Sequence, residues 1–101
     1  MHSFAYKNGT LYCENVNLQE LADKEGTPLY VYSKQTILNH FHRLREALAP
    51  LNAEVAYAVK ASSNIAILNL MARNGAGFDI VSGGELFRVL KAGGDPSKCT
   101  Y

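Results

Sequence analysis

The sequence predicts an α/β fold built on parallel strands, and three observations support that prediction. From Ser33 onward, segments with helical spacing of apolar residues alternate with short β-prone runs. The first of these runs is apolar on both faces, which is typical of a strand covered on both sides. The connecting loops are only a few residues long. Together these features favour parallel strands joined by right-handed helical crossovers.

Composition fits one small globular domain and narrows the classes of function. The chain has 101 residues, 48% of them hydrophobic and 19% charged, with a net charge of +1. This balance gives no electrostatic case for binding nucleic acid or a membrane surface. No apolar run approaches the length of a membrane span, and no signal-peptide pattern follows Met1. Cys13 and Cys99 are far apart and lack a nearby second thiol, so we expect a reducing, cytoplasmic location.

Residues 1–32 are predicted to form a separate N-terminal segment. Three runs in it are β-prone: Phe4 to Tyr6, Leu11 to Cys13, and Leu29 to Tyr32. Asn8 and Gly9, between the first two runs, predict a hairpin turn. Asn17 and Glu20 resemble a capping box, which predicts a short helix ending at the following Gly-Thr-Pro break.

Residues 33–101 are predicted to hold the alternating elements. A helix before Pro50 is indicated by apolar residues four, three and four apart: Ile37, Phe41, Leu44 and Leu48. Two further helices are predicted, one capped by Asn64 and the other by Ser82 with Glu85. Strands are predicted at Ala53–Val59 and Gly77–Val81, with a third beginning at Lys98–Tyr101.

Such a sheet would be incomplete, because two strands and the start of a third leave an unpaired edge and uncovered apolar faces. We therefore expect these residues to be the N-terminal part of a larger protein. The order of elements fits either an open doubly wound sheet or a closed (β/α)8 barrel of the TIM type.

Side-chain alternation favours the barrel. If Lys60 points to the inner face of the sheet, Ala58 and Ala56 do so as well. Asp79 of the next strand joins them when its two apolar neighbours face the helices. Such a face suits a barrel interior with room for a ligand, and it is a poor face for packing helices.

Lys60 and Asp79 are the candidate chemical residues. Lysine is costly to bury, and a desolvated neutral amine can attack an aldehyde and hold it as an imine. The alternative is that Lys60 only marks where the strand leaves the core. Asp79 interrupts an apolar run, so it needs a partner, either Lys60 or the backbone amides near residues 82–84. No metal site is expected, since His40 and His42 are two apart on a helix and point in different directions.

Two motifs then link the sequence to a known family. They are the runs Tyr57-Ala58-Val59-Lys60-Ala61-Ser62-Ser63-Asn64 and Gly75-Ala76-Gly77-Phe78-Asp79-Ile80-Val81-Ser82-Gly83-Gly84-Glu85-Leu86. Both closely resemble the fold-type III pyridoxal-phosphate decarboxylases, whose barrel is similar to that of alanine racemase. The second run looks more like the diaminopimelate decarboxylases of that family than the ornithine or arginine decarboxylases. Ser62 departs from the asparagine that members usually carry.

The resemblance implies roles for three residues of this chain. Lys60 would be the catalytic residue that forms an imine with pyridoxal 5'-phosphate. Ala58 would pack beside the cofactor, and Asp79 would help to set the charge state of Lys60. The reaction implied is decarboxylation of meso-diaminopimelate to L-lysine and carbon dioxide.

The resemblance also implies that much of the enzyme lies outside these residues. Later parts of the barrel, a C-terminal β-domain and the second subunit of a homodimer would complete the site. The N-terminal β ribbon would belong with that β-domain, and the short helix after it would lead into the barrel. The isolated chain is therefore expected to be inactive and poorly folded. A decarboxylase for ornithine, arginine or carboxynorspermidine, or a non-catalytic relative that binds the cofactor, remains an alternative.

Overall fold

The computed structural model describes all 101 residues, in two compact units formed by residues 1–41 and 42–101. The α-helices are α1 (Leu18–Glu25), α2 (Lys34–Leu48), α3 (Ile65–Arg73) and α4 (Gly83–Lys91). The strands are β1 (Phe4–Lys7), β2 (Thr10–Cys13), β3 (Val16–Asn17), β4 (Ala56–Ala58), β5 (Gly77–Asp79) and β6 (Cys99–Thr100). Short 3-10 helices occupy Ala49–Leu51, Val59–Ala61 and Pro96–Lys98. None of the helices is long and apolar enough to cross a bilayer.

The first unit contains the predicted hairpin. Strands β1, β2 and β3 form an antiparallel sheet in that order, and Lys7 pairs with Thr10 across the turn. Asn8 and Gly9 both have positive φ, 51° and 80°, as the preferred two-residue hairpin turn requires. The Asn-Gly signal was therefore sufficient to predict this turn.

Helix α1 also follows its sequence signals, whereas the run after it does not form a strand. The Asn17 side chain accepts hydrogen bonds from the Gln19 and Glu20 amides at 2.9 and 3.1 Å. Gly26 ends the helix with φ 87°. The run Leu29–Tyr32, which is β-prone in sequence, does not form a strand in the structure, and Tyr30 is 86% exposed. A strand needs a partner, and no strand of this chain pairs with that run.

Glu14 joins the hairpin sheet to the start of α2. Its amide donates to the Ser3 carbonyl at 2.7 Å. Its carboxylate accepts from the Ser33 hydroxyl at 2.8 Å and from the Gln35 amide at 3.2 Å. The pKa of Glu14 is lowered mainly by the hydrogen bond from Ser33 and, to a smaller extent, by that from the Gln35 amide. Ser33 in turn is buried and accepts from the Thr36 amide, so the carboxylate stabilises the first turn of α2.

We expect Glu14→Gln to lower the thermal midpoint near neutral pH and to have little effect in acid. A carboxyl whose pKa is lowered on folding stabilises the fold above its unfolded pKa, and that contribution is lost as the pH falls through the folded value. Melting curves of the full-length wild-type and Glu14→Gln proteins test this, recorded at neutral pH and at a pH well below the ordinary glutamate pKa of about 4.3. Glu25→Gln, at an exposed position of α1, is the control. Equal effects of Glu14→Gln at both pH values would contradict the prediction.

The second unit contains the predicted parallel sheet, with strand order β4-β5-β6. Strand β4 pairs in parallel with β5, and β5 with β6. The strands are shorter than predicted: Ala53–Val59 becomes Ala56–Ala58, and Gly77–Val81 becomes Gly77–Asp79. The apolar runs continue beyond these strands, but the ladder of backbone pairing does not.

The helices of this unit begin at their predicted caps. Asn64 accepts from the Ala66 amide at 2.9 Å at the start of α3. At α4 the Ser82 hydroxyl accepts from the Glu85 amide at 3.1 Å, and Glu85 Oε1 accepts from the Val81 amide at 3.0 Å. The predicted Ser82 cap is therefore confirmed, but the reciprocal bond of Glu85 goes to the amide of Val81, one residue before the cap, and not to the Ser82 amide of a standard capping box.

Buried apolar side chains lie between the parallel sheet and the helices. The largest of those that are fully buried are Val59, Leu68, Phe78 and Val89. Gly77 permits the close approach of β5 to the segment before β6, because a Cβ there would lie 2.6 Å from the Lys98 carbonyl oxygen. The core therefore fixes one face of the sheet and leaves the other face open for a site.

Candidate functional site

The carboxyl ends of strands β4, β5 and β6 lie together, because all three strands run in the same direction. This carboxyl end of the sheet is the edge at which the candidate site lies. Asp79 ends β5 and lies in register between Ala58 of β4 and Thr100 of β6. Lys60 follows two residues after Ala58. Parallel α/β folds place their active sites at this edge. The structure thus pairs Ala58 with Asp79 and places Lys60 in the turn that follows.

The two faces of the sheet are divided as the alternation predicts. The rings of Tyr57 and Phe78 meet edge to face, with centroids 6.4 Å apart and an interplanar angle of 88°. These residues are register partners, so their neighbours Ala58 and Asp79 lie together on the opposite face. Phe78 is fully buried, whereas Ala58 and Asp79 are half-buried. The prediction that Asp79 shares a face with Ala58 is confirmed.

Lys60 differs from its prediction in two respects. It lies within the 3-10 turn Val59–Ala61 rather than at the end of a strand. Its side chain is exposed, so the desolvated environment expected for the amine is not met within these residues. Val59 immediately before it is fully buried. The turn therefore anchors its first residue in the core and presents the next one at the open edge.

Two partners were predicted for the Asp79 carboxylate, Lys60 and the backbone amides near residues 82–84. At the turn after β5, the amides of Val81 and Glu85 bond to the side chains of Glu85 and Ser82. Capping of α4 therefore does not require Asp79. Ala58, the register partner of Asp79 on β4, has only a methyl group and so leaves space on that side of the carboxylate.

Sequence reasoning missed two residues that contact the segment after Lys60. The Tyr57 hydroxyl donates to the Ser62 carbonyl at 3.0 Å. Arg88 Nη1 of α4 donates to the Ser63 carbonyl at 3.2 Å. The only sequence signal was the amphipathic character of the tyrosine, an apolar ring with a polar tip, at an otherwise apolar strand position.

The residues at this edge suit a ligand that carries an aldehyde. An exposed primary amine can reach and attack a carbonyl carbon once it is deprotonated. The methyl groups of Ala56 and Ala58 leave the open face free for a flat ring, and the Asp79 carboxylate could balance a positive charge beside it. An aldehyde can therefore be held covalently at Lys60.

A protein-family model, described as the pyridoxal-binding domain of pyridoxal-dependent decarboxylases, matches residues 34–101. That range contains both strand-to-helix turns of the candidate site, the open-face residues Ala56, Ala58 and Asp79, and Lys60 in the turn after β4.

Individual relatives extend the similarity to the whole chain. Diaminopimelate decarboxylase from Haemophilus influenzae is 50% identical over 101 residues, which cover 100% of this chain and 24% of the relative. The crystal structure of diaminopimelate decarboxylase from M. jannaschii with L-lysine matches at TM-score 0.90 and 37% identity, over 96% of this chain and 24% of that one. Lysine decarboxylase from Selenomonas ruminantium matches at TM-score 0.80 and 31% identity, over 100% and 25%. The chain thus spans about a quarter of the length of these relatives.

Proposed function

Because the chain belongs to the pyridoxal-dependent decarboxylase family, we propose that it forms the N-terminal part of an enzyme that decarboxylates meso-diaminopimelate to L-lysine and carbon dioxide. The observation that carries the proposal is Lys60, an exposed amine in the turn after β4, beside a face of small residues and Asp79. The identity of about 50% with diaminopimelate decarboxylases supports this substrate over other amino acids. In this role the enzyme is a carbon-carbon lyase of lysine biosynthesis.

Three side chains carry the cofactor site in this proposal. Lys60 Nζ would hold the aldehyde of pyridoxal 5'-phosphate covalently, because it is the primary amine at this end of the sheet. Ala58 would lie beside the cofactor ring, where a larger side chain would compete for space. Asp79 offers a negative charge that stabilises positive charge near the lysine. Pyridoxal phosphate, when bound, supplies the electron sink for loss of the α-carboxylate.

The proposal extends to the architecture of the complete protein. Further strands would follow β6 and close the sheet into a (β/α)8 barrel, and the N-terminal β segment would join a separate β-domain. The shortness of the parallel sheet and the greater length of the relatives support this arrangement. A second subunit would complete the site in a homodimer. The free thiols of Cys13 and Cys99 support a location in the cytoplasm.

A related substrate is the second candidate. The similarity to a lysine decarboxylase shows that the same fold also occurs in enzymes named for a different amino acid. Ornithine, arginine and carboxynorspermidine therefore remain alternatives, as does a relative that binds the cofactor without catalysis. The residues that distinguish these substrates would lie in the later parts of the barrel.

The test is a carbon dioxide release assay on the full-length protein, meaning this sequence with the downstream segment we propose. The panel holds meso-diaminopimelate, lysine, ornithine, arginine and carboxynorspermidine. We expect kcat/KM for meso-diaminopimelate to exceed the others by at least about a hundredfold, because a site built to bind a polar group rejects analogues that lack it. A higher value for another amino acid would contradict the substrate assignment. Cofactor binding without release from any of them would support the non-catalytic alternative.

A further inference from the structure

The turn that carries Lys60 has little of its own to hold it in place. It is a single 3-10 turn, Val59–Ala61, and such turns have poorer hydrogen-bond geometry than an α-helix. The Lys60 side chain is exposed and so does not pack in the core. The direction of the amine must therefore be set by contacts at the two ends of the turn.

One end is fixed by burial and the other by Tyr57. Val59, the first residue of the turn, is fully buried. Ser62, the residue that ends it, accepts a hydrogen bond at 3.0 Å from the Tyr57 hydroxyl. The tyrosine thus reaches across the whole turn, from the strand before Lys60 to the backbone after it.

The Tyr57 ring is itself well anchored. It packs edge to face against Phe78, its register partner on β5, at 6.4 Å between centroids. Phe78 is fully buried, so the Tyr57 ring rests on a close-packed part of the core. A hydrogen bond from an anchored donor restrains its acceptor more than one from a mobile side chain.

From this geometry we propose that Tyr57 is a positioning residue for Lys60: its hydroxyl closes the 3-10 turn and directs the amine toward the cofactor. The inference deepens the proposed function and rests on it. Arg88, which donates to the Ser63 carbonyl at 3.2 Å, restrains the next peptide along and adds to the same effect. Tyr57 touches neither the cofactor nor the substrate in this role.

The test uses Tyr57→Phe in the full-length protein, which removes the hydroxyl and keeps the ring against Phe78. In the apoprotein, amide hydrogen exchange of residues 59–63 should accelerate roughly three- to tenfold, the factor that one lost hydrogen bond corresponds to. Exchange in β5 should stay unchanged. The rate at which Lys60 is trapped by pyridoxal phosphate and borohydride should fall by a similar factor. Tyr6→Phe, at a tyrosine that is 74% exposed, should leave both quantities unchanged.

The outcomes separate the inference from the function on which it rests. Faster exchange confined to residues 59–63, together with slower trapping of Lys60, supports the positioning role. Trapping on Lys60 at an unchanged rate with unchanged exchange overturns the inference and leaves the proposed function standing. Faster exchange throughout β4 and β5 shows a general loss of stability and also overturns it. Label on a different lysine overturns both.

Discussion

Replacing Lys60 by alanine in the full-length protein should lower kcat for decarboxylation by at least about a thousandfold. The expected loss is large because a covalent site depends on one nucleophile, and removing such a residue usually costs as much as removing the whole catalytic set. The exposed position of Lys60 makes the interpretation simple, since its removal leaves no cavity in the core. Single-turnover release of carbon dioxide, with saturating pyridoxal phosphate, measures the effect.

Two further variants show whether the amine itself is responsible. Lys60→Arg keeps the positive charge but cannot hold an aldehyde under the assay conditions, so it should be as inactive as Lys60→Ala. Lys24→Ala, at an exposed position of α1, removes a lysine distant in sequence and should keep full activity. A Lys60→Ala protein that retains more than about a tenth of the activity would refute covalent catalysis by this residue.

The second large effect concerns stability. Phe78→Ala should reduce the free energy of unfolding by about 3–5 kcal/mol, the usual cost of truncating a fully buried phenylalanine. Phe78 is 0% exposed, pairs with Tyr57 on β4, and has its neighbour in register, Cys99, on β6. Phe78 therefore lies on the middle strand of the parallel sheet, with a pairing partner on each side. Urea unfolding of the apoprotein measures the loss.

Phe78→Leu provides the graded comparison. It keeps most of the apolar volume and should lose less than half as much free energy as the alanine variant. Both variants leave Lys60 and Asp79 in place. Any variant that folds should therefore still be labelled on Lys60 by pyridoxal phosphate and borohydride. Equal stability of wild type and Phe78→Ala would contradict the assignment of this side chain to the core.

The elements that the sequence predicted well are those fixed by a few neighbouring residues. The Asn8-Gly9 turn depends on two adjacent residues that adopt positive φ. The caps at Asn17, Asn64 and Ser82 depend on hydrogen bonds to amides within four residues of the cap. The residues next to each turn or cap are therefore enough to predict it from the sequence.

Strand ends were predicted less well, because pairing is not local. The apolar run through Val59 looks like a strand to its last residue, yet the pairing with β5 ends at Ala58 and the chain turns. The run Leu29–Tyr32 has strand-forming residues but no strand partner in this chain. β-propensity describes a fit to a sheet and cannot say where the sheet stops.

At the candidate site, the sequence drew attention to the charged residues but not to Tyr57, for which we propose a positioning role. Lys60 and Asp79 stand out because charged residues are rare in apolar runs. Tyr57 looks like an ordinary strand residue, and its partner is the backbone carbonyl of Ser62, which no sequence pattern marks. The identity of the cofactor came from the motif resemblance, because an amine beside alanines would accept many aldehydes.

The most direct test of the account is to locate the cofactor. Borohydride reduction of the full-length protein loaded with pyridoxal phosphate converts a covalent attachment into a stable amine, and peptide mass mapping then identifies the residue. We predict that the pyridoxyl group is found on Lys60, in the peptide that continues with Ala61 and Ser62. Label on any other lysine, or none in a protein that still decarboxylates its substrate, would contradict the central claim.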